Sequence, residues 1–307
     1  MLRKLIKDIN SKYLKLLEVN PVNNVYGLAR TILATGTFLT LIANSTETLF
    51  MVSSELEGVG ISKLVDYSLF NLLSNHLGIA KIFSVAVLFF VIIGIYPRFT
   101  GLLHWYISFS FFSACSVIDG GDQANSVLAL LLVPVTLMDN RKWHWQQSND
   151  ECVNISYNST AWAFICLLRI QVSAIYLHAA VAKFKIDEWV NGTAIYYWFM
   201  HHYHGAADYL KPFVIIIVSN NFLVVLISWG TIVLELLLFS AILLGPKSLR
   251  RRLLLLLGLT FHFLIVVIHG LISFYFTMAA ALLLYLSDYT TVYNFSKPKL
   301  SFLWNRY

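Results

Sequence analysis

The sequence predicts an all-α fold: a polytopic bundle of about eight transmembrane helices, preceded by a basic amphipathic helix on the membrane surface. Three observations predict it. Of the 307 residues, 58% are apolar and only 12% charged, at a mean hydropathy of +0.69; a soluble domain carries about 25% charged residues. Apolar runs near the roughly 20 residues that a bilayer requires recur along the chain. Lys and Arg crowd onto alternate loops, the pattern that orients membrane helices.

In residues 1–20, Leu2, Leu5, Ile6, Ile9, Tyr13, Leu16 and Leu17 repeat at helical spacing, while Arg3, Lys4, Lys7, Lys12 and Lys15 take much of the remaining surface. This is the pattern of a helix lying on an anionic leaflet, and it lacks the continuous apolar core of a signal peptide. Residues 21–290 read as one transmembrane domain and 291–307 as a cytoplasmic tail. The expected spans are 26–44, 77–96, 101–118, 123–138, 160–183, 222–244, 253–269 and 271–287. Between the fifth and sixth, residues 184–221 form a long aromatic loop, with a surface helix near 194–202.

An N-terminus in the cytoplasm puts Arg98, Arg141, Lys142, Lys247, Arg250, Arg251, Arg252, Lys297, Lys299 and Arg306 inside with the N-terminal basic residues. The outer loops then carry only Lys63, Lys185 and Lys211. Both termini are therefore cytoplasmic, in the cell membrane. The excess of 22 basic over 16 acidic residues follows from topology and needs no nucleic-acid partner. Cys115, Cys152 and Cys166 form no CxxC pair. No G-x-S-x-G, Walker, dinucleotide-binding or HExxH motif occurs, and His201, His202 and His204 lack partners at metal-ligand spacing.

Ionisable residues inside spans face a cavity or a partner. Arg30 is expected in a structural ion pair, and Arg169 as an anchor at the cytoplasmic headgroups. Ser173, Tyr176, Ala180 and Lys183 share a stripe of the fifth helix, with Gln171 and His178 opposite. Lys183, at the outer end against the usual charge bias, suits a general base and equally suits a side chain snorkelling outward. Glu235 cannot stay charged and unpaired in hydrocarbon; it is neutral, paired or functional. His262 and His269 share one face and read as packing or proton-relay residues. Asp119-Gly-Gly-Asp122 reads either as a functional turn or as a tight turn in which Asp122 caps the fourth span.

Several stretches resemble the SdpB family across nearly the whole chain: NPVNNVYGLARTILATGTFLTLI, IDGGDQ, IYLHAAVAKFKIDEWVNGTAIYYW, VLELLLFSAILL and TFHFLI. That family lies within the HTTM group, whose membrane domain is shared with vitamin K-dependent gamma-carboxylase. The most specific match is Tyr176, Ala179, Lys183, Trp189 and Gly192, similar to the carboxylase Y-x-x-A-x-x-x-K … W-x-x-G pattern. The resemblance implies a membrane factor that, with a small SdpA-like partner, matures a secreted SdpC-like peptide toxin. It also implies that Lys183 acts as the base toward a reduced quinone of the menaquinone or vitamin K type.

On that basis the expected site opens outward between the fifth, sixth and seventh spans. His178, Glu235 and His262 support Lys183 there. Tyr176, Trp189, Gly192, Tyr196, Tyr197, Trp198, His269, Asp119 and Asp122 line it, with no metal. Two departures set gamma-carboxylation behind other base-driven chemistry on a peptide: Ala182 stands where carboxylases carry a second lysine, and the large extracytoplasmic domain is not expected here. A non-enzymatic chaperone, export or immunity component is the alternative role.

Overall fold

The computed structural model describes residues 17–50, 65–146 and 155–289. The predicted surface helix, except residues 17–20, and the tail lie outside them. A helix stands at each of the eight predicted apolar stretches: α1 (Asn24–Ala43), α2 (Leu77–Ile93), α3 (Pro97–Ala114), α4 (Gly120–Leu137), α5 (Ile155–Lys183), α6 (Asn221–Ser240), α7 (Leu249–His269) and α8 (Ile272–Leu286). Among the described residues there is no strand, only an isolated bridge between Ile95 and Trp143.

Five stretches are long and apolar enough to cross a membrane: Asn24–Ala43, Ser74–Ile93, Ile155–Lys183, Asn221–Leu243 and Leu249–His269. Ile272–Leu286 is apolar but shorter. The two 18-residue helices α3 and α4 bury polar side chains, including His104, Ser108 and Ser110 on α3 and Asp122, Asn125 and Ser126 on α4. Those residues dilute their hydropathy.

Local chemistry sets the helix ends. The Asn23 side chain accepts from the backbone N–H groups of Val25 and Tyr26 and starts α1. Gly94 (φ +91°) closes α2 and Gly270 (φ +72°) closes α7 in the left-handed conformation. Pro97 opens α3, where its missing N–H costs nothing.

α8 is the central helix. It packs against α1, α4, α5 and α7, and Thr277 through Leu282 are all buried. Its C-terminal carbonyls are taken up by two arginines. Arg251 donates to Tyr285, to Leu286 (2.8 Å) and to Leu244 (3.2 Å), and Arg169 donates to Ser287 (3.1 Å) while lying over the Tyr289 ring. Cations belong at a helix C-terminus; Arg169 thus anchors to the chain rather than to headgroups.

The outer faces carry large apolar side chains: Ile82, Phe99, Phe222 and Leu256 are each more than 60% exposed. The buried faces hold polar and small residues among large apolar ones such as Tyr26, Leu33 and Ile165, an arrangement that suits a lipid surround. The 184–221 segment is more ordered than a loop with one surface helix. It holds three short helices, Asp187–Val190, Ala194–Phe199 and Lys211–Val218, whose Trp189, Ile195, Phe199 and Val214 form a small core with Ala180 of α5 and Ile232 of α6.

Candidate active site at the Lys183–Glu235 pair

α5 presents Val172, Ser173, Tyr176 and Ala180 as buried positions, and Lys183 ends the same stripe. The small Ser173 and Ala180 let α6 approach. Ser173 Oγ donates to the Phe239 carbonyl at 3.1 Å. On α6, Ser228, Thr231 and Glu235 turn inward at helical spacing. Ser228 Oγ accepts from the Ile195 N–H (3.3 Å), holding the Ala194–Phe199 helix across this end of the bundle.

These helices bring Lys183 to Glu235. Lys183 Nζ donates to Oε1 at 2.7 Å, to Oε2 at 2.9 Å and to the Ala179 carbonyl at 3.3 Å, using all three ammonium protons. Nζ also lies 5.0 Å from the centre of the buried Trp189 ring. The side chains are 17% and 7% exposed, so the pair is enclosed but opens to the surface on the lysine side. Gly192 adopts φ +72° next to Trp229 and Val225 of α6, which turns the chain from Trp189 back over the site.

Two turns deeper on α5, roughly 10 Å by the helical rise, Tyr176 Oη is 3.0 Å from His262 Nε2. Gly258, one turn before His262, lets α7 close on α8, since a Cβ there would meet Leu282 Cδ1 at 2.9 Å. His262 packs edge-on against Phe274, and its Nδ1 is buried without a partner. The predicted set therefore forms two hydrogen-bonded pairs along one face of α5.

The remaining predicted residues fall outside those pairs. His178 is exposed on the other side of α5 and is not brought in. His269 contacts the His204 carbonyl and the rings of Trp198 and Phe199. Tyr196, Tyr197 and Trp198 are about half exposed along the Ala194–Phe199 helix. Asp119 and Asp122 are occupied in a capping box, and the cap is Asp119, not Asp122. Asp119 Oδ1 accepts from the N–H groups of Gly121 (2.7 Å) and Asp122 (3.0 Å), and Asp122 Oδ2 accepts from the Asp119 N–H (3.1 Å). Asp119 also accepts from Ser273 at the start of α8 (3.1 Å). Spacing puts Ser228 on the face of Thr231 and Glu235; what spacing does not show is that Ser228 holds the Ile195 N–H.

The HTTM domain matches residues 28–289, and the chain belongs to that family. It is similar to the Bacillus subtilis (strain 168) protein YitO, described as uncharacterized, at 37% identity over 94% of this chain and 93% of YitO. It is also similar to sporulation-delaying protein SdpB of the same organism, at 37% identity over 62% of this chain and 59% of SdpB. No solved structure matches.

Proposed function

We propose that this chain is an integral-membrane factor in the maturation of a secreted SdpC-like peptide toxin, working with a small SdpA-like partner, and that Lys183 is its base. Membership of the HTTM family and similarity to SdpB support the pathway. The observation that carries the site is the enclosed Lys183–Glu235 pair, with protons held between two atoms 2.7 Å apart. Moving one proton from Lys183 to Glu235 yields a free amine with no change in net charge, so the pair can prime a base inside a low-dielectric site. Ala179 and Trp189 fix where that amine points.

The flat, apolar faces of Trp189, Tyr196, Tyr197 and Trp198 suit a reduced naphthoquinone, which would supply an acidic hydroxyl to Lys183. Eight passes with both termini in the cytoplasm complete the proposal, with 1–20 on the membrane surface, 21–290 as the transmembrane domain and 291–307 as a cytoplasmic tail. The basic residues of the even-numbered turns support that orientation, and it places Lys183 at the outer face.

Lys183→Ala, co-expressed with the precursor and the small partner, tests the base. Mass spectrometry of the secreted peptide is expected to find the precursor form only; full conversion to the mature peptide would remove the catalytic role. One observation favours a second reading, a chaperone or export component. Every proton of the Lys183 ammonium already has an acceptor, as in a purely structural pair. That reading predicts that Lys183 variants lose protein level and precursor binding together, with no separable chemical defect.

A further inference from the structure

The other end of the bundle holds a buried cation that no carboxylate among the described residues pairs. Arg30 of α1 is completely buried, and the ion pair expected for it does not form among the described residues. Its Nη2 donates to Thr100 Oγ1 of α3 at 3.2 Å, while Nε and Nη1 have no partner. Thr100 spends its own proton on the Ile95 or Tyr96 carbonyl, so it serves the guanidinium only as a neutral acceptor. The Tyr26 ring lies 5.8 Å from the guanidinium carbon. His104 of α3, within reach of the Arg30 charge, is buried with its Nε2 unpartnered.

The charges near this point do not close. Asp139 is the carboxylate at this end that acts on Tyr26 alongside Arg30 and Arg141. It is held on both oxygens by Arg141, at 2.8 and 2.9 Å. Among the described residues, two guanidinium groups against one carboxylate leave one positive charge over. Helix dipoles do not cancel it: α1 and α3 begin here while α2 and α4 end here, so two positive and two negative termini offset each other. An arginine does not shed its proton, and an isolated buried charge is costly.

We propose that Arg30 anchors an internal anion site occupied by a halide ion, where α1, α3 and α4 meet the 139–146 turn. Arg30 Nε and Nη1 and His104 Nε2 are its donors. Water would answer the unpartnered donors but not the charge. A monatomic ion asks the least room beside a guanidinium with no exposed surface.

The test uses the full chain purified in neutral detergent, its thermal unfolding followed in sodium chloride, bromide or gluconate at equal ionic strength. Chloride and bromide are expected to raise Tm saturably where gluconate does not, and Arg30→Gln is expected to abolish that dependence. Superimposable curves in the three salts, or a halide dependence that survives in Arg30→Gln, would overturn the site. Should Arg30→Gln not fold, anomalous diffraction from wild-type crystals grown in bromide decides: a peak beside Arg30 supports the proposal, and its absence overturns it.

Discussion

The two ends of the bundle treat a buried cation in opposite ways. Near one, Lys183 meets Glu235 across α5 and α6, and every ammonium proton is accepted within the chain. Near the other, Arg30 is more completely buried, with the Thr100 hydroxyl accepting from it and the Tyr26 ring beside it. The first is a closed pair whose parts depend on each other. The second is a charge that no carboxylate among the described residues pairs, and the proposed halide would close it. The difference teaches that burial alone does not bring a cation a partner; the ion pair forms at the less buried site.

The largest expected effect comes from splitting the closed pair. Glu235→Leu alone strands the Lys183 ammonium and is expected to cost about 3–5 kcal/mol. Lys183→Met combined with Glu235→Leu removes both charges and should return stability to within about 1–2 kcal/mol of the parent, since apolar replacements of buried pairs are often neutral. Thermal unfolding in micelles reads both variants. A double variant as unstable as the single would mean the two residues are not coupled.

A glycine at the Arg30 end and one in the middle of α7 sharpen the contrast next. At Gly94, with φ +91°, a Cβ would lie 2.2 Å from the buried His144 ring. Gly94→Ala combines about 1–2 kcal/mol for left-handed backbone with about 1–3 kcal/mol of overpacking. Gly258 is helical, and its near neighbours are the movable Leu282 methyls, so Gly258→Ala should cost about 1 kcal/mol. Comparable losses at both glycines would contradict the tighter packing at the Arg30 end.

His144 gives the Arg30 end its own pH dependence. It lies outside the long helices, and burial, then the charges of Arg30 and Arg141, push its imidazole down from 6.5 to about 3. The unfolded chain therefore takes up a proton that the folded chain refuses. Stability is complete above about pH 6.5 and falls between there and pH 3, by up to about 1.4 kcal/mol per unit. His144→Phe is expected to flatten that part of the profile; identical profiles for parent and variant would rule out the buried neutral imidazole. The smallest effect is at the α4 cap, where Asp119→Ala should lower stability by about 1 kcal/mol.

Much of the scaffold was legible because it depends on local pattern. The Asn23 cap, the Gly94 and Gly270 stops and Pro97 sit where the apolar runs begin or end, so helix positions followed within a few residues. The α5 stripe of Ser173, Tyr176, Ala180 and Lys183 was readable from spacing alone. His178 lies opposite that stripe, yet the sequence reading set it beside Lys183; the structure leaves it exposed on the other side of α5. What spacing could not supply was pairing across helices. Nothing along the chain says that Lys183 meets Glu235, 52 residues away, or that His262 meets Tyr176 rather than Lys183. The ion pair expected for Arg30 followed from the cost of buried charge, but the nearby Asp139 is already claimed by Arg141, two residues along. The 184–221 segment read as a loop because its helices are too short to show a period.

The most direct test of the account is maturation by a folded protein that lacks the pair. Lys183→Met combined with Glu235→Leu, matched to the parent in membrane abundance and unfolding temperature, is co-expressed with the toxin precursor, and the secreted peptide is weighed by mass spectrometry. The account predicts precursor only. Mature peptide at the parent's yield would contradict it and leave Lys183 and Glu235 a structural pair.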